Sequence, residues 1–220
     1  MDEKIFAGLF RAHPWHGIPI GERAPEEVAA YIEIVPSDTV KYELDKPTGH
    51  LKIDRPQQFS NVYPTLYGLI PQTYCGERVA AYCMEHTHRR GIRGDGDPLD
   101  VCVLAEKTIT HGDVLLHVRP IGGLRMLDGD EADDKIIAVL LGDAVYGHMH
   151  DIHECPPALV TRLKHYFLTY KQDPGSRRRE AEITQVYDRA EALAVIDHSV
   201  ADYMDRFSDL AEALAELRRR

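Results

Sequence analysis

Any fold of this chain must accommodate three carboxylates in six residues: Asp95-Gly96-Asp97-Pro98-Leu99-Asp100, followed at once by the apolar run Val101 to Leu104. Three anions this close repel one another, so a folded protein holds them together only at a cost unless cations lie between them. Gly96 and Pro98 set a turn, and the run after Asp100 reads as a buried strand that anchors it. Oxygen-only ligands favour a hard cation such as Mg²⁺, Mn²⁺ or Ca²⁺ over zinc. The segment therefore reads as a rigid carboxylate cage suited to metal-assisted phosphate chemistry. Taken alone, the six residues read more readily as a solvated connector, as most Asp-Gly-Asp-Pro turns are. An EF-hand does not, because Val101, Cys102, Val103 and Leu104 occupy the positions where further oxygen ligands are needed.

The chain has 220 residues, enough for one domain with a substantial core, and its 44% hydrophobic and 28% charged content is that of an ordinary globular protein. A formal net charge of −10, with basic runs confined to Arg177 to Arg179 and Arg218 to Arg220, argues against a general nucleic-acid or anionic-membrane binder. No stretch approaches a membrane span, and Met1 to Phe10 lacks the apolar core of a signal peptide, so a cytoplasmic protein is expected. Cys75, Cys83, Cys102 and Cys155 do not resemble a disulfide framework and are read as reduced.

Residues 1–25 form an irregular lead-in around His13-Pro14-Trp15-His16-Gly17. Period-two alternation then marks strands at Ala30 to Val35, Val40 to Asp45 and Leu51 to Asp54, with Lys41 and Glu43 on one face. That face is either solvated or the wall of a pocket. Residues 71–94 read as an irregular polar insertion, and strands resume at Val101 to Leu104, Val114 to Ile121 and Ile136 to Leu141. A helix is expected from Pro157, a first-turn proline, to Tyr170-Lys171, then two more from about Asp188 to Val200 and Asp202 to Leu217. Strands first and helices last give an α+β fold, a small antiparallel barrel with helices packed outside.

A second acidic loop, Asp128 to Asp134, offers Asp128 and Asp133 as partners for Asp95 and Asp100, and Lys41, Arg55, Lys135 and Lys171 supply cations for phosphate. The combination suggests phosphoryl transfer to water across a multi-metal centre. At this point the chain resembles the soluble inorganic pyrophosphatases of family I. The resemblance rests on Asp95 to Val101 and on ordered blocks: Tyr31 to Ile34, Lys41 to Asp45, Asp54-Arg55, Tyr63-Pro64, Tyr67-Gly68, Arg119-Pro120, Asp128 to Lys135, and His165 to Phe167 leading to Tyr170-Lys171. It covers about residues 28–172.

The resemblance implies a five-stranded, OB-like barrel and Mg²⁺-dependent hydrolysis of inorganic diphosphate, with Mn²⁺ or other divalent ions as possible substitutes. It implies metal ligation by Asp95, Asp100, Asp128, Asp133 and Glu33, with Asp97 as the general base. Lys41, Arg55, Tyr67, Lys135, Tyr170 and Lys171 match the phosphate-binding set, and Glu43 a further pocket residue. It also implies a homo-oligomer. The whole chain reads as one domain, 1–220, with the core at 28–172, an insertion at about 71–94 and a helical extension at about 188–220. Cys75, Cys83, His86 and His88 match no standard zinc spacing, and the insertion that holds them reads better as a solvated or interface loop. His148, His150 and His153 read as interface rather than ligand residues.

Overall fold

Five strands close on themselves. In this computed structural model, which describes residues 11–57, 60–171 and 181–210, they are β1 (Val28–Ile34), β4 (Leu66–Leu69), β6 (Asp100–Leu104), β7 (Val114–Asp128) and β9 (Lys135–Leu140). The pairing runs β1–β4–β6–β9–β7 and back to β1, where Val28 lies opposite Val118. Four of these pairings are antiparallel and β6–β9 is parallel, with Asp100 opposite Lys135. Parity requires this: strands around an odd-membered ring cannot all alternate in direction, so the expected antiparallel barrel carries one parallel seam.

Period two divides the ring's side chains into two cores. Ala30, Leu66, Val101, Val103, Val118, Ile136 and Ala138 share one cluster, drawn from all five strands and so enclosed by the ring. The alternate residues Cys102, Leu104, Ile137 and Val139 join Leu163, Tyr166 and Phe167 of helix α2 (Pro157–Thr169) in a second. All seven residues of β1 are buried, because both of its faces are covered. The alternation there marks two cores and not a wet and a dry side. The helix α2 begins on its proline and ends at Tyr170, as the periodicity predicts.

Outside the ring, β2 (Val40–Leu44) and β3 (Leu51–Pro56) form a separate hairpin, with Lys41 opposite Arg55. The long β7 outruns the ring, and its far end pairs with β10 (Ala181–Tyr187) and with the short β8 (Glu131–Ala132). The sequence carries no clear strand signal at 181–187, where Glu182, Thr184 and Gln185 interrupt the apolar pattern on an outer edge. Beside β8 lies β5 (Arg93–Gly94).

The segment 71–94 is not irregular: Glu77–Thr87 is a helix, α1, with Val79, Ala80 and Cys83 buried. Its N-terminus has no local cap. Instead the Asp202 carboxylate accepts from the backbone N–H groups of Gly76, Arg78 and Val79 at 3.0–3.1 Å. Asp202 belongs to α3 (Arg189–Arg206), which runs through the break expected at 200–202; the chain bends at Phe207 instead, and helix resumes over 208–210. No glycine or proline breaks the run at 200–202, and Asp202 caps α1 rather than starting a new helix. The expected helix end at 211–217, the arginine runs at 177–179 and 218–220, and the leading residues 1–10 lie outside the described residues.

Candidate active site

The carboxylate turn is fixed by a segment distant in sequence. Asp95 Oδ1 accepts from the Asp97 backbone N–H at 2.9 Å, and Gly96 sits at φ +77°, where a side chain would be strained. Cys75 N–H donates to the Asp97 carbonyl at 2.8 Å, and Gly96 N–H to the Cys75 carbonyl at 3.1 Å. Leu99 N–H donates to Thr73 Oγ1 at 2.9 Å, while Trp15 Nε1 donates to the Thr73 carbonyl at 2.7 Å. The turn, the strand start at Asp100 and the lead-in residue Trp15 are thus one hydrogen-bonded unit.

Around it opens a cavity of about 220 Å³. It gathers Asp95, Asp97 and Asp100 from the turn, Glu33 from β1, Asp128 and Asp133 from the second acidic loop, and Lys41 and Glu43 from β2. Tyr67, Lys135, Tyr170 and Lys171 complete the set. Every residue expected at the site is there except Arg55, which lies beside the cavity opposite Lys41 and donates to Asp54 at 2.6 Å. Lys41 is 3.2 Å from the same carboxylate. The charged face of β2 is therefore a pocket wall. Trp15, Tyr42, Lys46, Tyr63 and Glu131 also line the cavity and were not anticipated. Lys46 had a signal, a lysine closing the Lys41 to Asp45 block, but it reads first as part of a turn.

Lysines hold the carboxylates in pairs. The Lys135 ammonium lies between Asp100, at 2.5 Å, and Asp133. Lys171 reaches Asp128 at 2.5 Å, and Lys46 reaches Asp97. Burial would lower the Lys135 pKa, but Asp100 and Asp133 more than offset it, and the ammonium is held charged. Lysine alone cannot balance this site: the cavity is lined by eight carboxylates and four lysines. Burial, followed by the charge of Asp133, pushes Asp95 up to about 8. Burial and then Asp100 push Glu33 up to about 8 as well, although Leu44 N–H donates to it at 2.7 Å. Burial raises Asp133 to about 6, with Lys135 opposing. Burial and Asp100 likewise keep the Tyr67 hydroxyl protonated.

A surplus of buried, oxygen-only donors around an open cavity fits hard divalent cations in donor chemistry and in charge. Among the described residues no three His, Cys, Asp or Glu side chains are already gathered into a closed metal cage, since lysines stand between the carboxylates. The Cys and His residues of the insertion do not converge either. Cys75 and Cys83 are buried, and the His86 ring contacts the Tyr82 carbonyl at 2.9 Å.

Comparison with known proteins places these features in context. The family model described as inorganic pyrophosphatase matches residues 30–204. That span includes α1 and most of α3, so the segment read as an insertion, and the segment read as an extension as far as residue 204, lie within the family match. An inorganic pyrophosphatase of Chlamydia trachomatis serovar L2 is 53% identical over 200 residues, covering 89% of this chain and 96% of that protein. A soluble inorganic pyrophosphatase of Oryza sativa subsp. indica is 36% identical over 207 residues, 92% of this chain and 86% of the relative. The crystal structure of the Thermus thermophilus inorganic pyrophosphatase superposes with a TM-score of 0.72 at 32% identity, covering 86% of this chain and 98% of the other.

Proposed function

From the premise that the chain belongs to the inorganic pyrophosphatase family, and so hydrolyses inorganic diphosphate to two phosphates, we propose the division of labour by which its cavity does so. The observation that carries it is the convergence of Asp95, Asp97, Asp100, Asp128 and Asp133 with four lysines on one open pocket. Asp95, Asp100, Asp128, Asp133 and Glu33 are the residues that would hold Mg²⁺, with Mn²⁺ as a substitute. Bound there, the ions would screen the charge of the diphosphate and lower the pKa of the attacking water.

The chain's own side chains do the rest. Asp97 orients the water and takes its proton as the new bond to phosphorus forms. Its carboxylate is part-exposed on the cavity wall while its backbone is pinned on both sides, the arrangement a base needs. Lys41, Lys135, Lys171 and Arg55 bind the two phosphoryl groups and offset the charge that gathers on the departing phosphate. Tyr67 and Tyr170, kept protonated by burial, donate to phosphate oxygens. Glu43 shapes the same wall. The proton taken by Asp97 is passed on as the bridging P–O bond breaks and phosphate leaves.

We place this enzyme in the cytoplasm as a homo-oligomer of single-domain subunits, with no membrane or nucleic acid among its partners. Among the described residues no helix is long and apolar enough to cross a membrane. The test is phosphate release from diphosphate, ATP and tripolyphosphate, with and without Mg²⁺. Rapid, Mg²⁺-dependent and diphosphate-selective release is expected. Equal rates on all three substrates, or release that ignores divalent ions, would sink the proposal.

A further inference from the structure

Behind the second acidic loop lies a charge cluster that the hydrolysis does not use. Arg125, on β7, is fully buried. Its neighbours Leu124 and Met126 pack on the α2 side, so period two turns Arg125 toward α1 and α3. Its guanidinium lies 5.3 Å from the Tyr82 ring of α1 and 5.1 Å from the Tyr187 ring at the end of β10. It donates to Glu191 of α3 at 2.5 Å and to Gln185 at 3.2 Å. It also stands 3.6 Å from the carboxylate of Asp134, which is itself buried.

Asp134 sits between Asp133 and Lys135, which face the cavity. Alternation puts its side chain on the opposite side of the chain. The backbone at this point is tied to β7, as Asp133 N–H donates to the Met126 carbonyl at 3.0 Å. A buried ion pair is a poor way to gain stability, because well-packed apolar residues usually do as well or better. What such a pair does supply is a fixed position and a fixed charge.

We propose that Arg125 is a positioning residue: by balancing Asp134 behind the strand, and being itself clamped by α1, β10 and α3, it fixes the placement of Asp133 and Lys135 in the cavity. The proposal rests on the functional reading above in taking Asp133 as a metal ligand. It assigns α1 and α3 a role in the chemistry, as the outer wall that holds the guanidinium. Without the arginine, buried Asp134 loses the largest charge that offsets it while still adjoining Asp133, and the loop must move to hydrate it.

The test compares Arg125→Met, Arg125→Lys and Asp134→Asn with the wild type. It reads the Mg²⁺ concentration for half-maximal activity, kcat at saturating Mg²⁺, and Mn²⁺ binding followed by electron paramagnetic resonance. Outer partners of metal ligands typically change affinity by about 10- to 100-fold. Arg125→Met is expected to weaken Mn²⁺ binding and raise the Mg²⁺ requirement by at least about tenfold, with a smaller fall in saturated kcat and recovery of most of the loss in Arg125→Lys. A purely structural role would instead lower the melting temperature and the active fraction while leaving both metal constants in place. Folded Arg125→Met with wild-type metal constants overturns the proposal. Where that variant does not fold, Asp134→Asn decides in the same way, since it leaves Arg125 bonded to Glu191 and Gln185. Mn²⁺ binding does not depend on turnover, so a wild type inactive on diphosphate would defeat the functional reading and still leave the role of Arg125 decided.

Discussion

At the scale of single residues, Asp97 and His16 show how placement sets what a side chain can do. Asp97 accepts the Lys46 ammonium while its backbone is locked from both sides, so losing the carboxylate charge should leave the turn intact. Asp97→Asn is expected to cut kcat by about 10²- to 10⁴-fold with KM for diphosphate changed little. Steady-state kinetics at saturating Mg²⁺ check this, and a raised KM with normal kcat would move Asp97 from base to binding residue. His16 is half-buried against Trp15 and Phe207, and its Nδ1 lies 2.9 Å from the Tyr203 hydroxyl. Burial, followed by the charge of His13, depresses its pKa to about 4. Protonation therefore favours the unfolded chain. The His16 contribution to stability is complete above the ordinary value near 6.5 and is lost as pH falls toward about 4. His16→Gln should then lose less melting temperature than the wild type over that interval. Parallel curves for the two proteins would mean that His16 does not titrate in the fold.

At the scale of elements, the readable parts are those whose periodicity is local. The strands at Val28–Ile34, Val40–Leu44 and Asp100–Leu104, and the helix from Pro157, follow from spacing and caps that lie within the segment itself. The helix α1 does not. Its own sequence offers Gly76 as N-cap, without a capping side chain, and the missing acceptor comes from Asp202, more than a hundred residues later. A window-based reading sees Glu77–Thr87 as a polar stretch, because the partner that satisfies its first turn is tertiary. The same residue hid the continuity of α3, since an aspartate after Val200-Ala201 looks like the start of a helix and is in fact the cap of another. The site divides in the same way. Motif carboxylates and lysines were legible, whereas Trp15, Tyr63 and Glu131 reach the cavity only through folding. Asp202→Ala is expected to cost about 2 kcal/mol, the upper range for a lost cap, since three N–H groups are left without their acceptor. Asp202→Asn should recover part of it. Urea denaturation measures both, and an unchanged midpoint in Asp202→Ala would show that water caps α1 equally well.

At the scale of the whole molecule, the fold concentrates negative charge where catalysis needs positive charge brought in. A chain of net charge −10 closes a five-strand ring whose interior stays apolar. It places eight carboxylates and four lysines around one mouth, two of the carboxyls, Glu33 and Asp95, with pKa values raised to about 8. The sign follows from that rise. Their protonated forms favour the metal-free fold, so their contribution to stability is complete below their ordinary values near 4 and is lost as pH climbs through about 8. On the proposed reading, a divalent cation would bind the ionised carboxylates and would have to expel those protons. Saturating Mg²⁺ should therefore raise the melting temperature more at about pH 8 than at about pH 6, where protons compete for the same oxygens. Calorimetric titration of Mg²⁺ near pH 7 should likewise give a heat that changes with the ionisation enthalpy of the buffer, reporting net proton release. Stripping divalent ions should cost most stability on the alkaline side. A heat independent of buffer, together with a Mg²⁺ stabilisation flat across this range, would mean that Glu33 and Asp95 are already ionised before the metal arrives. The lysines would then be balancing the cavity further than their number suggests, and the pull on the cation would come from geometry rather than from unmet charge.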